Sequence, residues 1–213
     1  MKPAARIAAV IEILAEMQAA RDAGILTGRQ AEQWLRASFQ RRRYAGSGDR
    51  AAIGDLFWKS QRAAARIAWH LAALGAPQNP RNIVIAALVL IDKLTWTLSE
   101  LFSSDIAHSP APLDKTEILL VEALEGRDLN DPAMPEHIAF EWPEWLMLDT
   151  KAGLGDRLTI ELFAMMSEAP TDIRINPLNQ LERRKLRDKL AGRGIKGHPT
   201  RLSPLGVRLE KRS

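Results

Sequence analysis

Apolar residues recur at helical spacing from the start of the chain. Ile7, Val10, Ile11, Leu14 and Met17 follow i, i+3, i+4, i+7 and predict one amphipathic helix over residues 4–20. Gly24 and Gly28 bracket a turn, and Ala31, Trp34, Leu35 and Ser38 mark a second helix. RRRYAGSGDR, Arg41–Arg50, is a connector in which Asp49 or Ser47 is suited to cap the next helix. That helix is predicted as one piece from about Arg50 to Ala73. Its apolar face is Ile53, Leu56, Phe57, Ala64, Ile67, Ala68 and Leu71, with Lys59, Arg62 and Arg66 together on another face. After a Gly- and Pro-containing turn, RNIVIAALVLIDKL is apolar on all sides, which predicts a central helix surrounded by the others. Short helices near Leu98–Phe102 and in EWPEWLMLD are expected to accompany an Asp114-capped helix over Lys115–Leu124. A last helix is expected over about Asp156–Ser167. No fixed-period repeat is visible, so a compact bundle is expected rather than a solenoid.

The period changes at residue 172. Ile173 and Ile175 alternate with Arg174 and Asn176, the period of two that marks a strand. A basic helix follows, and then a second strand-like run, HPTRLSPLGVRLEKRS, in which His198–Arg208 is the next strand or a hairpin. The expected fold class is therefore mainly α: a helical bundle over residues 1–153, then a connecting helix and a short, incomplete β-α-β segment over 154–213. Two short strands make a marginal sheet in water, so either further strands follow or another chain is expected to supply them.

Charge divides the chain into three. Residues 1–91 carry 13 Lys and Arg against 6 Asp and Glu, residues 92–173 carry 5 against 17, and residues 174–213 carry 12 against 3. Either the acidic middle docks on the basic parts, or the basic ends face phosphates. The longest apolar run, Ile83–Ile91, is far short of the roughly 18–20 residues that span a bilayer, so no membrane partner is expected. The chain has no cysteine, which excludes a disulfide framework, a thiolate metal cluster and a cysteine nucleophile within it. A cytoplasmic location is the default expectation.

Three motifs invite a chemical role. AGRGIKG has the GxGxxG spacing of Gly192, Gly194 and Gly197, but it follows a helix and precedes a strand, the reverse of a phosphate-binding loop. A helix end and turn is the better reading. His70, His108, His137 and His198 lie too far apart in sequence for a ligand pattern. Glu141 and Glu144, beside Trp142 and Trp145, are expected to be surface carboxylates, and Trp34, Trp58 and Trp69 to belong mostly to the core. No active site assembles from these residues.

Six stretches in order resemble one family: AGSGDRAAIGDLFW (Ala45–Trp58), PRNIVIAALVLIDKL (Pro80–Leu94), HSPAPLD (His108–Asp114), EWPEWL (Glu141–Leu146), DIRINPL (Asp172–Leu178) and TRLSPLGVRLE (Thr200–Glu210). They are similar to successive landmarks of the bacterial ribosomal-RNA cytosine-5 methyltransferases of the RsmB/NOP (Fmu, Sun) type. The resemblance implies an N-terminal helical domain like NusB, an RNA-binding antitermination factor. It further implies a small α/β subdomain, and then a doubly wound domain that binds S-adenosylmethionine in a Gly-rich loop. In that family one cysteine attacks the 6-position of cytosine and a second helps release the product. Neither cysteine nor the Gly-rich loop is present here, so the resemblance carries RNA recognition and not catalysis. No cofactor is expected in this chain; S-adenosylmethionine belongs to the complete family architecture.

The expected partner is structured RNA, ribosomal RNA by the resemblance, held through phosphates. The candidates in the helical part are Arg41, Arg42, Arg43, Lys59, Arg62 and Arg66. Those in the C-terminal part are Arg174, Asn176, Arg183, Arg184, Lys185 and Arg187. Arg174 and Asn176 match polar positions of the family's strand motif and could instead face a junction with a catalytic domain, supplied by a longer product or in trans. The alternatives are a stand-alone NusB-like RNA-binding module, a helical protein-interaction scaffold, or a decayed gene fragment.

Overall fold

The structure, a computed structural model, describes residues 1–25, 30–95, 97–167, 169–179 and 182–210. The chain forms two compact units, Met1–Leu158 and Thr159–Ser213. The fold is mainly α, as the periodicity predicts.

Pro3 opens α1 (Pro3–Asp22), at a position where a missing N–H costs nothing. There follow α2 (Ala31–Arg41), α3 (Ser47–Arg62), α4 (Ala64–Ala73), α5 (Pro80–Leu90), α6 (Leu98–Leu101), α7 (Lys115–Leu124), α8 (Glu136–Ala139) and α9 (Met147–Leu154). Gly24 takes a positive φ of 70° just beyond α1; Gly28, expected to share that turn, lies outside the described residues. The all-round apolar run forms α5. Its residues Val84–Leu90 are each at most 3% exposed, and α5 packs against α1, α3, α4 and α7. It is the central helix the pattern predicts.

Asn79 caps α5, its Oδ1 accepting the Asn82 N–H at 2.8 Å. Asp114 caps α7 in a reciprocal box: the Glu117 N–H donates to Asp114 Oδ1 at 2.9 Å, and the Asp114 N–H to Glu117 Oε2 at 3.0 Å. At the α3 start, Ser47 is the first helical residue, and Asp49 reaches back to accept the Gly46 N–H at 3.2 Å. Trp34, Trp58 and Trp69 are half-buried at the margin of the core rather than inside it.

One predicted element is corrected. The helix drawn from Arg50 to Ala73 is two helices, broken at Ala63, where φ is −113° and ψ is 21°. A break frees N–H groups at the start of α4, and Glu141 takes two of them: Ala65 N–H at 2.9 Å and Arg66 N–H at 3.0 Å. Glu141 also accepts from Arg66 Nε at 3.0 Å. Glu141 is thus a structural cap and not the surface carboxylate that its sequence context suggests.

The second unit holds the rest of α10 (Leu158–Met166), then β1 (Asp172–Arg174), α11 (Arg183–Ala191), β2 (Gly197–Pro199) and β3 (Gly206–Leu209). The first strand ends at Arg174, short of Asn176, and the second strand-like run folds into two strands. The sheet has the order β1-β3-β2, antiparallel throughout. Lying between β1 and β2, β3 has a partner on each side. Asp172, Arg208 and His198 are cross-strand neighbours and share one face. Val207 and Leu209 are buried, and α11 packs on β2 and β3. Gly206 allows close approach: a Cβ there would lie 2.1 Å from Thr200 Oγ1.

Candidate nucleic-acid interface

The predicted basic residues of the first unit fall into two groups. Arg42 is buried, with Nη2 2.9 Å from Glu12 Oε2 and 3.4 Å from Glu16 Oε1, and Nη1 3.1 Å from Ser38 Oγ. Burial works to lower its pKa, but the hydrogen bond and charge of Glu12 and the charge of Glu16 outweigh it, and the pKa stands above the ordinary value. Arg41 pairs with Glu16. Lys59 sits between Asp55 at 2.8 Å and Asp92 at 2.7 Å, and the two carboxylates likewise hold its pKa up against burial. Arg66 adds Asn130 Oδ1, at 2.8 Å from Nη1, to its bonds with Glu141. Lys59–Asp92, Arg66–Glu141 and Arg81–Glu117 join the basic first part of the chain to its acidic middle. Of Lys59, Arg62 and Arg66, the first and last are committed to carboxylates, and the break at Ala63 sets Arg66 on a different helix from the other two.

Arg43 and Arg62 are exposed, and neither guanidinium has a partner among the described residues. Arg43 opens on a cleft of about 620 Å³ lined by Arg36, Phe39, Gln40, Arg43 and Arg50. Arg36 also has no partner among the described residues. Arg50 Nε donates to the Ala45 carbonyl at 2.9 Å, and the Ala45 N–H to the Arg42 carbonyl at 3.1 Å, closing a turn with Arg43 and Tyr44 at its tip. Three guanidinium groups with no carboxylate among the cleft's lining residues suit an anionic oxygen ligand, since each can donate two parallel charge-assisted bonds. Arg36 and Arg50 escape a reading of charge runs. Arg36 and Gln40, one turn apart on α2, share a side by their spacing, and Arg43 joins them from the turn beyond the helix end, which the spacing does not signal.

The second unit carries its own cleft of about 890 Å³, lined by Ile173, Pro199 and Leu202 as well as by Arg174, His198, Arg201 and Arg208. Arg208 is committed to Asp172, with Nε and Nη2 each 2.8 Å from a carboxylate oxygen, and that bond holds the Asp172 pKa below the usual carboxylate range. Arg174 is exposed without a partner among the described residues, whereas Asn176 Oδ1 accepts the Leu178 N–H at 3.1 Å and shapes the turn. On α11, Arg183 donates to the Ser203 carbonyl at 3.3 Å and Arg187 to the Gly197 carbonyl at 3.2 Å. Arg184 and Lys185 are exposed.

The glycines of AGRGIKG do not fit S-adenosylmethionine or a dinucleotide. Gly192 is the C-cap of α11, Gly194 takes φ of 76°, and Gly197 begins β2, so they face a helix end and not a helix N-terminus. Among the described residues no group of three or more His, Asp or Glu could hold a metal ion, and no helix is long and apolar enough to cross a membrane.

No protein-family model matches the chain, and no curated protein matches it. Among solved structures the chain is similar to PH0851, known from a crystal structure, with 17% sequence identity and a TM-score of 0.56. The match covers 100% of this chain and 50% of PH0851, so the chain spans half the length of that protein. The likeness establishes a shared fold.

Proposed function

We propose that this chain is the RNA-recognition part of an S-adenosylmethionine-dependent ribosomal-RNA cytosine-5 methyltransferase of the RsmB/NOP type, not catalytic by its own residues. The observation that carries the RNA reading is the cleft in which Arg36 and Arg43, both unpaired among the described residues, meet Arg50. The order of the six sequence landmarks supports the family, as does a fold shared along the whole chain with half of a longer protein. The work of these side chains is to bind phosphates of folded RNA and fix its orientation, so that a catalytic domain meets one base. The cleft lies wholly within the first unit, which also favours a second reading: a NusB-like module that binds RNA unaided.

The test is the binding of a labelled ribosomal-RNA hairpin to the full chain as salt is raised from 50 to 200 mM. Three neutralised phosphates predict a slope of log K against log salt of roughly −2.5. Arg36→Glu with Arg43→Glu should abolish binding without changing the melting temperature. A flat salt response overturns the RNA reading. The size of the native product separates the two readings. A band well above the mass of 213 residues, seen with an antibody to the first unit, supports the methyltransferase; a band only at that mass supports the free-standing module.

A further inference from the structure

Arg43 shares its turn with Tyr44, and the two side chains line different cavities. Tyr44 is 69% exposed, an unusual state for the one tyrosine in the chain. It lines a cleft of about 480 Å³ together with Ala5, Ala8 and Ala9 of α1 and with His108. That volume falls within the roughly 300–1,000 Å³ typical of small-ligand sites. The small residues of α1 line it with Lys2 and Glu12, and two planar side chains, Tyr44 and His108, join the lining. Both walls are held. The turn is tied at one end by buried Arg42 to Glu12 and Glu16, and at the other by Arg50 to the Ala45 carbonyl. His108 stands at φ of 63°, a costly conformation for a residue other than glycine. Its loop is pinned by Ser109, whose N–H donates to the Ile106 carbonyl at 3.1 Å and whose Oγ accepts the Ser103 N–H at 3.2 Å.

We infer that this turn grips one nucleotide of single-stranded RNA from two sides, its phosphate on Arg36, Arg43 and Arg50 and its unpaired base in the Tyr44–His108 cleft. The inference rests on the RNA-binding reading above and adds the form of RNA recognised. Adjacent residues of one rigid turn present a guanidinium to one cleft and an aromatic ring to the next, which matches the succession of phosphate and base along a strand. An aromatic platform accepts any base by its π-face, but only a base that is not already stacked in a duplex can reach it. A slot fixed before binding spends little on ordering when the ligand arrives.

The experiment compares a fluorescently labelled single-stranded RNA octamer with a blunt duplex of the same length, titrated with the full chain at fixed salt. The single strand should bind more tightly. Tyr44→Ala should weaken the single strand roughly five- to hundred-fold, as loss of one base–aromatic stack does, and leave the duplex unchanged. Tyr44→Phe should keep the wild-type affinity. Arg43→Ala should weaken both RNAs and reduce the salt slope by about one. If Tyr44→Ala changes neither RNA, changes both equally, or is matched by Tyr44→Phe, the base site is overturned while the phosphate reading stands. If neither RNA binds, both fall. Tyr44 is exposed enough that its replacement tests binding and not folding.

Discussion

Arg66 and Glu141, 75 residues apart, meet in a pair that is also a helix cap: one carboxylate takes the Arg66 Nε and backbone N–H, each at 3.0 Å. Their side chains are only 11% and 15% exposed, so the pair is shielded from water and from salt. Glu141→Ala leaves two N–H groups of α4 without their acceptor and the buried Arg66 guanidinium without its counter-charge, with Asn130 still accepting from Nη1. The expected loss is about 3 kcal/mol, read from urea unfolding of the full chain. A loss below about 1 kcal/mol would show that the pair is dispensable. Charge reversal at Arg66 therefore tests the fold, and only its neighbour Arg62 is a fair probe of ligand binding.

Arg42 and Arg43 are adjacent and should behave oppositely. Arg42→Ala removes the buried tie to Glu12, Glu16 and Ser38 and should cost about 2 kcal/mol of stability, with RNA affinity falling because the turn loosens. Arg43→Ala should change stability by no more than about 0.5 kcal/mol. Its effect should appear in RNA affinity alone. Equal melting temperatures for the two variants would contradict this division.

This pair marks the boundary of what the sequence discloses. Periodicity locates α1, α5 and α7 because burial of a helical face is a local property, written in residues three and four apart. Asp114 is legible for the same reason, its partner being three residues away. The break at Ala63 is not, since the group that stabilises it arrives from Glu141. Charge runs locate the basic segments but not the fate of each cation. Arg41, Arg42, Lys59 and Arg66 take carboxylates contributed by distant parts of the chain or by the opposite helix, whereas Arg36 and Arg43 meet none among the described residues. The sheet is legible only in part for a related reason: the turn residues Arg201–Leu205 carry Pro and Ser but no strong hairpin dipeptide, so the run leaves one strand or a hairpin open, and the pairing of β2 with β3 decides for the hairpin.

His70 predicts a loss of stability in mild acid. It is fully buried in α4, with Nε2 3.2 Å from the Leu129 carbonyl and Nδ1 without a partner among the described residues. Burial lowers its pKa and Arg127 pushes the same way, while the bond to Leu129 and the charge of Asp131 act against them. Below the ordinary histidine value of about 6.5 the unfolded chain binds a proton that the folded chain refuses. Stability present above that pH should therefore fall as pH drops toward the folded pKa, by at most about 1.4 kcal/mol per pH unit from this group. His70→Gln keeps a donor and cannot titrate. Its urea midpoint should fall less between pH 7.5 and 5.5 than that of the wild type; an equal fall would rule His70 out as the source.

Gly206→Ala should disrupt the sheet of the second unit. The added methyl would meet Thr200 Oγ1 at 2.1 Å and Cγ2 at 3.0 Å, inside any normal contact. A cost of roughly 1–3 kcal/mol is expected, seen as faster hydrogen exchange at Val207 and Leu209. Thr200→Ala, which removes both nearest atoms, should restore part of the protection.

The order β1-β3-β2 places the last of the three described strands at the middle of the sheet. Until β3 is available, β1 and β2 have nothing to pair with. On the ribosome, the second unit must therefore wait as an unpaired chain until Leu209 has emerged, whereas α1–α5 can collapse around their core long before. A stalled nascent chain ending at residue 204 should show a protease-resistant first unit followed by a cleavable tail.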